Sequence, residues 1–185
     1  MRPRRRNTDL ARSRFRSLAS HYCQADPPHH WKLTRKGYQQ LQKHVEAALM
    51  RILAVAVQTL KAKTLNESDV RRAERYFSLM LGINVEEKIP ILLPQRLCYR
   101  HLKVNYPNIR VTRDASKRIR NLYTGIVRFL IAAIATGGPA VPDGHATCRV
   151  GADDVDECFD GFVFTSSAAP AALISTPVAD DSCLA

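Results

Sequence analysis

One order of segments is laid out twice along this chain, and that repetition limits its folds more than any other feature of the 185 residues. In the first round Leu10, Phe15, Leu18 and Tyr22 share one face of a helix over residues 8–23, which Asp26, Pro27 and Pro28 prevent from continuing. A long helix is predicted over residues 33–61, because Leu41, Val45, Ala48, Leu49, Ile52, Leu53, Ala56, Val57 and Leu60 recur at spacings of three and four. After a short connection, Asn66 is placed to cap a third helix that Asp69 answers and that runs to Leu81 before Gly82.

The second round has the same medium, long, short order with different residues. A helix over residues 94–105 is broken by Pro107. Thr112 then caps a long helix with an inner face of Ile119, Leu122, Tyr123, Ile126, Val127, Leu130 and Ile134, ended by Gly137, Gly138 and Pro139. Gly151 and Asp154 open a short acidic helix that reaches Phe159. The chain is thus expected to be all-α, with a degenerate repeat of about 80 residues. Its divisions are a basic disordered tail at 1–7, a first unit at 8–82, a linker at 83–92, a second unit at 93–160 and a disordered tail at 161–185.

Charge divides along the same lines. Residues 1–135 hold 27 Lys/Arg against 9 Asp/Glu, while residues 136–185 hold 1 against 8. An Arg-rich excess of that size points to a polyanionic partner, since each neutralised phosphate releases condensed counterions from nucleic acid. The longest apolar stretches are interrupted by charge or too short to span hydrocarbon, so no membrane partner is expected. Five scattered cysteines fit free thiols in a reducing compartment rather than a disulfide framework.

No nucleophile elbow, Gly-rich phosphate loop, HExxH or paired-Cys motif occurs, so neither an enzyme nor a cofactor is expected. His21, Cys23, His29 and His30 lie close together without the paired spacing of a zinc site. Trp31 is expected to pack a loop rather than stack on a base. The carboxylates Asp153, Asp154, Asp156 and Glu157 fall on different faces of a short helix and read as a solvated cap. The interior cations Arg71, Arg72, Arg75, Arg118 and Arg120 read as solvated helix faces.

The junctions carry a family resemblance. TLNESDVRRA (residues 64–73) resembles the passage from second loop to third helix in core histones, through Thr64, Asp69, Val70 and Ala73, and RVGADDVDEC (residues 149–158) keeps Val150, Asp154 and Val155. YRHLKVNYPNIRVTRDASK (residues 99–117) is similar to the junction of first and second helices in the type 2B histone, through Tyr99, Leu102, Lys103, Pro107, Val111, Thr112 and Ala115. RFRSLASHY (residues 14–22) and LQKHVEAAL (residues 41–49) look closer to the type 3 histone, with type 2A descent left open. The arginine that commonly clamps the matching aspartate in core histones is replaced by Ala62 and Thr147.

This resemblance, covering residues 8–160, implies two tandem histone folds paired intramolecularly as a handshake pseudo-dimer, like the fused doublets of large DNA viruses and some archaea. It implies a protein that wraps and compacts double-stranded DNA without sequence specificity in nucleosome-like particles, together with other histone or histone-doublet chains. Its location would be a nucleus, a chromatin-like viral compartment or the virion. The alternative is a histone-fold subunit of a transcription or replication complex that acts through protein partners.

In the handshake that the resemblance implies, His30, Lys32 and Arg35 approach Arg149 at one end. Lys61 and Lys63 approach Arg110, Thr112 and Arg113 at the other, and Thr64 is a further candidate for DNA contact. Arg12, Arg16, Arg96 and Arg100 form a patch where the medium helices meet, and Arg2, Arg4, Arg5 and Arg6 supply a basic tail.

Overall fold

The structure, a computed structural model, describes residues 5–24, 31–60, 63–81, 93–94, 98–137 and 148–159. Helix α1 spans Arg5–Gln24, strand β1 Trp31–Leu33, helix α2 Arg35–Gln58, strand β2 Thr64–Leu65 and helix α3 Glu67–Leu81. Helix α4 follows at Arg100–Asn105, β3 at Arg110–Val111, α5 at Arg113–Gly137, β4 at Cys148–Val150 and α6 at Ala152–Phe159. The described residues are mostly helical, as the periodicity requires.

The apolar stripes of α2 and α5 form the centre of the core. Leu41, Val45, Ala48, Ile52, Leu53 and Ala56 of α2 are fully buried, as are Ile119, Tyr123, Ile126 and Val127 of α5. Each such Leu or Ile contributes about 2 kcal/mol by leaving water. The long helices pack on each other, and the short helices reach across: α3 packs on α5 as well as on α2, and α6 packs chiefly on α2. The medium helices do the same, with α1 on α5 and α4 on α2. Phe15 of α1 meets the ring of Tyr123 edge-on, with centroids 6.3 Å apart.

Two parallel ladders join the rounds. β1 pairs with β4 in the register Trp31 to Cys148, Lys32 to Arg149 and Leu33 to Val150. β2 pairs with β3, placing Thr64 opposite Arg110 and Leu65 opposite Val111. The first ladder lies where α2 and α6 begin, and the second where α3 and α5 begin.

Several sequence expectations need correction. The first helix starts at Arg5, inside the segment read as the basic tail: no helix-breaking residue follows Pro3 until Pro27, and arginine is a good helix former. The first long helix starts at Arg35 rather than at residue 33, because the Thr34 hydroxyl accepts from the Gly37 amide at 3.1 Å and leaves Leu33 free to pair as a strand. Of the helix placed over 94–105, Pro94 lies outside the helix, Cys98 is helical and Arg100–Asn105 forms a regular helix, while residues 95–97 lie outside the described residues. Finally, α5 is long and apolar enough to cross a membrane by length and composition, although the sequence reading found no such segment. More than half of that apolar stretch is buried against protein.

Candidate nucleic-acid interface

Each ladder collects cations because of how its helices begin. At the first, burial alternates along β1: Trp31 and Leu33 point inward and Lys32 outward, beside the exposed Arg149. Thr34 donates its amide to the Val150 carbonyl at 2.9 Å, which sets the first turn of α2 against β4. Arg35 and Lys36 are exposed in that turn, which contains no acid, so the positive end of the helix dipole adds to their field.

The second ladder is built the same way. The Arg110 amide donates to the Lys63 carbonyl at 2.8 Å, and the Thr112 amide donates to the Leu65 carbonyl at 3.1 Å. The Thr112 hydroxyl accepts from the Ala115 amide at 3.3 Å, repeating the cap of Thr34. Lys63, Arg110 and Arg113 are exposed there, while Thr64 and Thr112 are half-buried. Asp114 lowers this field, although Lys117 holds it at 3.2 Å.

The expected approaches are therefore present as geometry for Lys32 with Arg149 and for Lys63 with Arg110, whose partner in register is Thr64, while Arg35 and Arg113 open the helices that follow β1 and β3. Of the medium-helix patch, Arg12 and Arg100 are exposed and Arg16 is half-buried. Tyr123 connects the two sides of that patch, since Phe15 packs on its ring and the Arg100 charge acts on its hydroxyl. Burial pushes the Tyr123 phenol well above its ordinary value, with Glu46 and Cys98 adding to the rise and Arg100 opposing it. Arg5 and Arg6 lie in the first turn of α1. Arg2, Arg4, His30, Lys61, Ala62, Arg96 and Thr147 lie outside the described residues.

Sequence reasoning missed Lys36, which sits beside Arg35 on the exposed first turn of α2. Its signal was position, two residues after a capping threonine. The two aspartates matched to the family's clamped position are used locally: Asp69 accepts the Asn66 amide at 3.0 Å and Asp154 accepts the Gly151 amide at 2.6 Å. Both carboxylates thus lie in the first turn of their helices and accept from the backbone amide of the residue just before each.

Two interior arginines are half-buried rather than on solvated helix faces, contrary to the sequence reading. Arg118 of α5 makes a two-pronged pair with Glu74 of α3, Nε to Oε2 at 2.6 Å and Nη2 to Oε1 at 2.5 Å, and Glu74 is only 7% exposed. The Nε of Arg120 is buried with no hydrogen-bond partner among the described residues. At the other end of the long helices His44 Nε2 and Gln40 Nε2 meet Asp156 Oδ1 of α6 at 2.6 and 2.7 Å. Partial burial would raise the Asp156 carboxyl, but these hydrogen bonds and the nearby charges outweigh it and hold it below its ordinary value of 3.8.

No family model, no curated protein and no solved structure matches this chain. The residues and their geometry therefore carry the functional reading. Among the described residues no group of three His, Cys, Asp or Glu side chains is assembled that could hold a metal ion. The described thiols are poor nucleophiles, since burial pushes Cys98 up to about 12 and Cys23 up to about 11. Cys158 is raised too, by partial burial and by the charges of Glu157 and Asp154.

Proposed function

We propose that the two rounds are tandem histone folds paired within one chain as a handshake pseudo-dimer, and that the protein wraps and compacts double-stranded DNA without sequence specificity. The observation that carries this reading is the pair of parallel ladders, each with exposed cations beside the starts of helices. Cations and helix starts of this kind fit phosphate oxygens, and neither needs a base edge. A bent duplex reaching Lys32, Arg35 and Arg149, then Arg12 and Arg100, then Lys63, Arg110 and Arg113 would gain contacts that a straight one cannot make. In the same reading, further histone or histone-doublet chains complete a nucleosome-like particle, in a nucleus, a chromatin-like viral compartment or a virion.

The test is nuclease digestion of long DNA mixed with the purified chain, alone and with a second histone pair, across a salt series. Discrete protected lengths that disappear as salt rises are the expected result. Smooth digestion at every ratio would sink the wrapping reading and favour a module that acts through protein partners.

A further inference from the structure

The two rounds are related by an approximate two-fold correspondence whose polar contacts are unequal. Thr34 and Thr112 cap their long helices alike, so Gln40 and Arg118, each six residues after its cap, occupy corresponding places. Asp69 and Asp154 cap the short helices alike, so Arg71 corresponds to Asp156 and Glu74 to Phe159. The buried carboxylate of Glu74 faces a guanidinium at Arg118, whereas the carboxylate of Asp156, 43% exposed, is met by the amide of Gln40 and the ring of His44.

We infer that the Glu74–Arg118 pair decides which halves associate, holding the first half to the second and excluding the pairing of two first halves from separate copies of the chain. Suppose two first halves did pair. Gln40 would stand where Arg118 stands, leaving Glu74 buried against a neutral amide. Arg71 would take the place of Asp156, so that a cation rather than a carboxylate faced His44. Both contacts fail together, and a buried charge without its partner is among the costliest defects a fold can carry. Two second halves are excluded less strongly, because Arg118 could then reach Asp156 as Gln40 does now. The first half therefore carries the exclusion, and specificity comes from what the wrong pairing would bury. This inference rests on the fold alone and is tested without DNA.

The experiment uses the full chain with the photo-crosslinking residue p-benzoylphenylalanine in place of Lys32, refolded near the millimolar effective concentration that a tether provides. Correct pairing links position 32 to residues 148–150 of the same chain, whereas pairing of two first halves links it to residues 63–65 of another. The unsubstituted background should give only the first product. Glu74→Gln removes the buried charge, and Arg118→Gln makes the correct pairing as poor as the wrong one. Each should raise the interchain product at least about tenfold, the ratio that 1.4 kcal/mol sets. The exchanged variant Glu74→Arg with Arg118→Glu should restore the intrachain product. A folded Glu74→Gln chain that crosslinks only within itself overturns the inference. If Glu74→Gln does not fold, the exchanged variant decides: a mixture of products from it overturns the inference equally.

Discussion

The two ends of the long-helix pair solve one problem by different means. At the first ladder the backbones come together closely: a Cβ on Gly37 would lie 2.7 Å from the Val150 carbonyl oxygen and 3.1 Å from that of Gly151. At the second, the corresponding residue is the buried Ala115, and the junction is held by the Glu74–Arg118 pair. The polar contact at the first end is correspondingly slighter, two side chains, Gln40 and His44, meeting at a half-exposed Asp156. One end thus depends on the absence of a side chain, and the other on the presence of two charged ones.

Removing the charge contact should have the largest effect. Glu74→Ala leaves Arg118 without its carboxylate and should cost about 3 kcal/mol of stability in urea unfolding, while Asp156→Ala costs well under half of that. Equal losses would show that burial does not separate the two ends. Next comes the close approach: Gly37→Ala must push α2 away from β4 and should cost about 2 kcal/mol. The reverse change, Ala115→Gly, should cost about 1 kcal/mol, chiefly through helix propensity. If Gly37→Ala is neutral, the first ladder is looser than its geometry.

A third comparison concerns DNA. Lys32→Ala with Arg149→Ala should weaken binding about tenfold at moderate salt and reduce the slope of log affinity against log salt by about 2, the same for any sequence. Lys63→Ala with Arg110→Ala should do slightly less, because Asp114 already lowers the field there. The smallest effect concerns acid. Asp156 has a lowered carboxyl, so its contribution is present above its ordinary value of 3.8 and is lost as pH falls through its lower folded value. Asp156→Asn should flatten that acid limb of the stability curve by less than about 1 kcal/mol, since the group is largely solvated.

Much of the fold was legible in local spacing. The inner faces written into residues 41–60 and 119–134 became the centre of the core, because a side chain three or four places away is a neighbour on any helix. The capping roles of Thr112 and Asp69 were legible for the same reason, since cap and partner lie within one turn. The outward cations at Lys32, Arg110 and Arg149 followed from the resemblance at the junctions, with Lys36 overlooked beside them. Arg118 was misread as solvated because nothing within a turn of it distinguishes it from an exposed arginine, and its partner Glu74 is 44 residues away.

By itself the sequence determined the kind, the apolar faces and the order of the described helices, and the basic excess of the first 135 residues. All of these depend on chemistry within a few residues or on composition. Only the tertiary structure decided that Trp31–Leu33 and Cys148–Val150 form a ladder, that Gly37 must lack a side chain and that Glu74 needs Arg118. Those facts depend on how two helices cross, which is set by the packing of the whole core and is written at no single position along the chain.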